Sequence, residues 1–421
     1  MVAAVAMLGL VLLMLNSEAP RPPTIADNPL DTYAFTPWYR AASSLAESSS
    51  LEMLPQLNCD RCVDPPLARD YPMYVGPPPP PESDPLRTIR DSTRSRSPQM
   101  DSPYILRIHD SAVWVDGNGR FGKGGTQWVL PGACEWMLGP DNTWWLPRFY
   151  DWLLRPRYRK AVVLTQRWSA HYYHFLLESM PRLALLPPAT LDDPDQTFII
   201  QALKYPNQQM ELIKWLGLES RLRVLEGEHW TASVSEELTI PQPCACGGCN
   251  PRVLMAFREM LFTRTWMNEL AEWNVPHPQA EWKEGEAPPT PLPPRHVLWM
   301  QRLGDRGVSN DAGLLSIARR AWPDAQFHFH TSALSLEATA RLFYLCDTIV
   351  GPHGAGWANL IFTRPGFKSI EFLPQRFSNQ LYAQISLILG GRRHTFITAP
   401  GATKDTVMHI PTDLFAQAVK L

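Results

Sequence analysis

The sequence predicts an α/β protein built as two halves, each a parallel sheet covered by helices on both faces. Three observations carry this. Short apolar runs rich in β-branched residues alternate with amphipathic stretches over residues 102–275 and again over 295–421, the order expected of strands joined by helical crossovers. Residues 276–294 hold seven prolines and little apolar content, so they read as a linker between two domains facing a cleft. Proline is also concentrated at the front, with 17 of the 42 lying before residue 104, where a folded core is therefore not expected. At 421 residues the chain exceeds what one core ordinarily serves. A net charge of −2 argues against a protein that binds nucleic acid by neutralising phosphates. With no second long apolar run, a multi-span membrane protein is excluded.

Residues 1–15 are apolar and uncharged, shorter than the ~20 residues of a spanning helix but suited to a signal anchor. Pro20 follows the small residues Ser17 and Ala19 and opposes cleavage there. Residues 16–101 are rich in Pro, Ser and Arg, with a five-proline run at 77–81. Such a segment buries too little apolar area to offset its ordering entropy and reads as a disordered stem. Anchor and stem together suit a single-pass type II membrane protein with its folded part in the lumen of the ER or Golgi. Of seven cysteines, Cys59 and Cys62 lie in the stem, Cys244, Cys246 and Cys249 cluster on a glycine-rich loop, and Cys134 and Cys346 stand alone. The cluster lacks the paired second half of a zinc site, so a local disulfide is the reading.

In the first half, strands are expected at 104–109, 112–116, 160–164, 197–200, 222–225 and 237–240, and helices at 171–186, 207–216 and 252–272. In the second, strands are expected at 296–300, 325–329, 348–350 and 369–373, alternating with helices at 311–321, 335–346, 355–362 and 379–389.

The strongest local signal is the run from Thr348 to Asn359. A buried strand ends at Gly351, a turn with His353, Gly354 and Gly356 follows, and a helix opens at Ala355. The unpaired amides of a first helical turn attract anions, and the glycines let a phosphate approach. His353 adds a donor or a charge, and Asn359 is placed to fix the loop or reach a ligand. Arg302 and Arg306 follow a strand and are suited to clamp a diphosphate. Asn310 is either a further ligand or the N-cap of the next helix. Glu371 lies in an apolar strand and needs a partner, which two ribose hydroxyls or a salt bridge would supply. In the first half, His174 and Glu178 share a helix face, where a carboxylate can raise the basicity of an imidazole. His171 leads the same helix and is a second candidate base, and Pro181 is expected to kink it. Asp193-Pro-Asp195 has the spacing of a metal-binding pair but precedes a strand, so it reads as a polar loop.

The segments His174…Glu178…Pro181-Arg182, Arg302…Asn310 and Gly351-Pro-His-Gly-Ala-Gly…Asn359…Glu371 resemble, in order and spacing, glycosyltransferase family 61. That family includes plant β-1,2-xylosyltransferases. The resemblance covers about residues 104–400. It implies a GT-B fold of two Rossmann-like domains, an inverting mechanism, a UDP-sugar donor held by the second half, and a glycan acceptor, either an N-glycan or a polysaccharide. Trp357 and the less basic run at 302–306 depart from the family pattern and bear on which sugar is used. With the turn, its helix and Arg302 holding the diphosphate, no metal or other cofactor is expected to be required, and His174 oriented by Glu178 is the expected base. The competing expectation is a glycan-binding or scaffold protein on a degenerate transferase fold, for which the 16 tryptophans would also suit sugar stacking.

Overall fold

A computed structural model of the chain describes residues 49–53, 73–75, parts of 104–128, and most of 155–226, 231–242, 251–269, 294–375 and 381–420. All of these belong to one compact unit, Leu45–Leu421. The anchor, most of the stem, the linker and every cysteine except Cys346 lie outside the described residues. Among the described residues no helix is long and apolar enough to cross a membrane.

Two strands arise inside the expected stem. β1 (Ser49–Met53) and β2 (Met73–Val75) are short runs whose backbones add to sheet edges supplied by later residues. The reading of 16–101 as uniformly disordered is corrected at these two places. Four further strands follow: β3 (Tyr104–Ile108), β4 (Val113–Asp116), β5 (Phe121–Lys123) and β6 (Thr126–Trp128). With β1, β7 (Arg157–Val163), β8 (Gln196–Gln201), β9 (Leu222–Leu225) and β10 (Thr231–Gln242) they form a nine-stranded mixed sheet. β10 is its spine. It runs parallel to β7 on one side, and on the other it pairs antiparallel with β4 over its first residues and β3 over its last. β7, β8 and β9 continue the parallel part. Helices α1 (Pro188–Asp192), α2 (Pro206–Trp215) and α3 (Pro251–Arg264) accompany it.

The second half is a fully parallel sheet. Its strands are β11 (His296–Met300), β12 (Gln326–His330), β13 (Thr348–Pro352), β14 (Lys368–Pro374) and β15 (Arg393–Ala399), in the order β12-β11-β13-β14-β15-β2. Period-two alternation sends Val297 and Trp299 to one face and Leu298 and Met300 to the other. The first face packs on α4 (Asp311–Ala321) and α7 (Thr412–Ala418), and Asp311 accepts from the Trp299 indole at 2.8 Å. The second face is covered by α5 (Leu336–Leu345), a 3-10 helix at Ala355–Phe362, and α6 (Leu381–Ile388). β15 and α7 were not foreseen from the sequence.

The halves share one core. Val162, Phe198 and Leu212 of the first half belong to the same apolar cluster as Leu298, Phe343 and Leu360 of the second. Polar bonds join them as well. The Glu211 carboxylate accepts the amides of Leu336 and Glu337 at 2.8 and 3.0 Å and so caps α5. Arg258 donates to the carbonyls of Ile361 and Thr363 at the C-terminal end of the 3-10 helix.

Candidate active site

In the second half the order β12-β11-β13 makes successive crossovers leave in opposite directions after β11 and β13. A crevice opens at the C-terminal ends of those two strands, the usual binding place in an open parallel sheet. Both second-half motifs lie there. Gly351 is required by packing: a Cβ would stand 2.5 Å from Met300 Cβ and 2.9 Å from its carbonyl oxygen. Gly354 is required by a side chain, since its Cβ would stand 2.2 Å from an Arg302 guanidinium nitrogen. At Gly356 the corresponding contact is 3.0 Å, to the Met300 methyl. The Trp357 indole donates to the Pro352 carbonyl at 2.9 Å and closes the turn over buried apolar surface. Ala355, exposed, opens the helix, which is 3-10 rather than α.

Arg302 is held by Nε donating to the Asp305 carbonyl at 2.5 Å and by an NH1 contact to the His353 carbonyl at 3.5 Å. Burial lowers its pKa, and the like charge of Arg306 adds to that. Arg306 has a left-handed backbone, φ 61°, fixed by its amide donating to the Thr406 carbonyl at 2.9 Å, and its Nε is buried with no hydrogen-bond partner among the described residues. Two guanidinium groups thus converge where an anion would relieve their repulsion.

Asn310 and Glu371 both find partners within the protein. The Asn310 amide donates to and accepts from the Ile410 backbone, at 2.7 and 3.1 Å, and makes no side-chain cap. It stands at the N-cap position of α4 and ties that helix to the segment before α7. Glu371 is wholly buried, and its two oxygens meet His353 Nδ1 and His394 Nε2, the latter at 2.7 Å. The protein itself thus supplies its partners, the second of the two readings of this position. His394 in turn meets the Ser369 hydroxyl at 2.7 Å through Nδ1. Burial holds the Glu371 carboxyl well above the ordinary range. It also pushes His394 down to about 3 and His353 well below its usual value, the latter with help from Arg306, Arg302 and His394.

The first-half centre lies on a helical segment of unusual build: an α turn at Tyr172–His174, a π stretch at Phe175–Ser179 and a 3-10 stretch at Met180–Leu185. Pro181 lacks an amide hydrogen, and the backbone answers by widening before it and tightening after it rather than by a simple kink. His174 Nδ1 stands 2.8 Å from Glu178 Oε2. The same oxygen accepts from the Gln166 amide, whose Oε1 takes a bond from Arg182 at 2.5 Å. Glu178 and Arg182 are buried, while His174 keeps 18% exposure. With Glu178 as a carboxylate already accepting from Gln166, His174 Nδ1 donates and Nε2 carries the lone pair. His171, exposed, precedes the segment and accepts the Phe175 amide at its carbonyl. Trp168, 5.4 Å from the His174 ring, has φ 66°. Trp168 and Arg306 are the two non-glycine residues of positive φ among the described residues, one beside each centre.

Two side chains bring the centres together. Tyr172 donates to Asn359 Oδ1 at 2.6 Å, and Asn359 Nδ2 donates to the Gly356 carbonyl at 2.9 Å, so Asn359 fixes the turn. Tyr382 of α6 packs against Tyr173, His353 and Trp357, at 5.9, 5.0 and 6.3 Å between rings. Burial raises its phenol. Sequence reading missed Tyr382, Gln166, Ser369 and His394. Of these only His394 left a signal, a histidine at the start of the β-branched run that follows it. Asp193 accepts from Lys160 at 3.3 Å and from the Asp195 amide at 2.9 Å, a polar turn ahead of β8. Among the described residues no three His, Cys, Asp or Glu side chains are grouped to hold a metal ion.

Residues 172–370 match the model of the Glycosyltransferase 61 family. That stretch of the chain belongs to glycosyltransferase family 61. No curated protein matches the chain. The family 61 match begins at Tyr172, takes in His174, Glu178, Arg302 and the Gly351–Asn359 turn, and ends one residue before Glu371. Both centres therefore fall in, or directly beside, the part that matches the family.

Proposed function

We propose that the chain is an inverting glycosyltransferase that moves a sugar from a UDP-sugar to a glycan acceptor, N-glycan or polysaccharide, on a GT-B arrangement of its two halves. The observation that carries this reading is the packing of Arg302 against Gly354 at the β11/β13 switch point, with Arg306 alongside. A sugar leaving with inversion needs a base on the acceptor oxygen and positive charge on the departing diphosphate. Arg302, Arg306, His353 and the amides of the turn supply the second without a metal. His174, held by Glu178 and Gln166 with Nε2 available to take a proton, supplies the first. Xylose is the favoured sugar, from the likeness to plant β-1,2-xylosyltransferases. The apolar residues 1–15 would anchor the enzyme as a type II protein in the ER or Golgi membrane with its catalytic part in the lumen.

Calorimetry of UDP with the full chain in EDTA tests the donor site. Binding should appear and should weaken about tenfold or more in Arg302→Ala, the weight of a charge-assisted hydrogen bond. Binding only with manganese would overturn metal independence. No binding in either condition would favour a non-catalytic glycan-binding protein. For the base, His174→Ala should bind UDP normally and lose roughly 10²- to 10⁴-fold in turnover. Near-normal turnover would remove His174 from that role.

A further inference from the structure

We infer that Glu371 is a proton reservoir for His353: it carries a proton on Oε1 while the β11/β13 crevice is empty and passes it to His353 Nδ1 when a diphosphate fills the crevice. The step breaks one O–H bond and forms one N–H bond. A neutral acid and a neutral imidazole become a carboxylate and an imidazolium, and no proton is drawn from solvent. The inference rests on the nucleotide-sugar reading and gives Glu371 and His394 positioning roles that reading does not contain.

The hydrogen-bond network locates the mobile proton. Ser369 Oγ stands 2.7 Å from His394 Nδ1 and 3.3 Å from the Arg393 carbonyl. With the shorter contact as its donation, His394 Nδ1 accepts, so Nε2 carries the hydrogen and donates to Glu371 Oε2. One proton then remains to be placed, on the bond between Glu371 Oε1 and His353 Nδ1. Among the described residues, the following groups face this bond and bear on the side. Arg302 and Arg306 come from the loop after β11, His394 from β15, and the neutral phenol of Tyr382 from α6. Two guanidinium groups disfavour an imidazolium while the crevice is empty, and full burial disfavours a carboxylate at Glu371 more than the Arg306 charge favours it. The raised Glu371 and lowered His353 and His394 agree with a neutral trio. An anion between the guanidiniums reverses the field at His353, and the additional negative charge that a departing sugar leaves on its diphosphate reverses it further. Because the two ring nitrogens share one π system, a proton gained at Nδ1 makes Nε2 a stronger donor.

The test is UDP calorimetry on the full chain at pH 7.5 and 8.5 in buffers of different ionisation enthalpy. Wild type should bind with no proton uptake and an affinity unchanged between the two. Glu371→Gln keeps the size and both hydrogen bonds but has no proton to give. It should bind about tenfold more weakly at pH 8.5 and take up a proton from the buffer where it does bind. Wild-type affinity with no uptake in Glu371→Gln would overturn the inference. Failure of wild type to bind UDP would instead overturn the nucleotide-sugar reading. A measurement independent of the variant's folding is the infrared difference spectrum of wild type: the protonated-carboxyl stretch should vanish on UDP addition, and its persistence would also overturn the inference.

Discussion

Gly351 and Gly354 lie three residues apart in one turn, yet an added methyl group meets different neighbours at each. At Gly351 it meets the Met300 Cβ and carbonyl, and neither can move without shifting β11. Gly351→Ala should therefore destabilise the fold by about 1–3 kcal/mol or more, as overpacking does, seen as a lowered unfolding midpoint. At Gly354 it meets the far end of the Arg302 side chain, which can swing away. Gly354→Ala should keep its midpoint and lose UDP affinity by roughly tenfold, because Arg302 no longer lies over the turn. Equal destabilisation by both would show that the Arg302 contact is only packing. The glycines were legible in the sequence because turn chemistry is local. The partners of Glu371 and Asn310 were not. His394 and Ile410 are brought to them by strand order and a chain return, and neither leaves a mark near the residue it serves.

The helical segment after Tyr172 shows what an element adds to its residues. Periodicity gave its extent, and the His174–Glu178 spacing survives in it. The π stretch before Pro181 was not legible, because the missing amide has several backbone solutions and packing selects one. Met180 donates to the Phe175 carbonyl, five residues back, and Arg182 is thereby turned to reach Gln166, the Thr165 carbonyl and the Glu178 carbonyl. Pro181→Ala restores the donor that an α-helix needs. The segment should relax toward α, rotate Arg182 off Gln166 and loosen the hold on Glu178. Stability should change by no more than about 1 kcal/mol, the gain in helix bonding set against the lost restraint on the unfolded chain. Turnover should fall about tenfold with UDP affinity unchanged. Unchanged turnover would mean that the π geometry does not serve the base. The second half was the more legible because its central strands β11, β13 and β14 are largely apolar runs buried on both faces. β15 escaped because it opens on Arg393 and His394, and the burial of His394 depends on Glu371 and Ser369.

Across the whole molecule, composition suggested two domains that fold apart, while the core shows two sheets that share their apolar interior. No pattern along the chain could reveal this, since each joining bond pairs residues far apart in sequence: Tyr172 with Asn359, Glu211 with the start of α5, Arg258 with the end of the 3-10 helix. The coupling has a functional side. Asn359 holds the Gly356 carbonyl with one end and the Tyr172 hydroxyl with the other, so the anion turn of one half is steadied by the residue two positions before the candidate base of the other. Tyr172→Phe removes one buried donor and leaves Asn359 Oδ1 without its partner, a cost of about 1–3 kcal/mol. If the halves unfold as one unit, a single calorimetric transition should move down by a few degrees, and UDP affinity should weaken although Tyr172 lies outside the half proposed to bind the nucleotide. Two separate transitions, with only the first-half step displaced and UDP affinity unchanged, would mean that the halves fold and bind independently, and the link from Tyr172 through Asn359 to the turn would then be no more than contact.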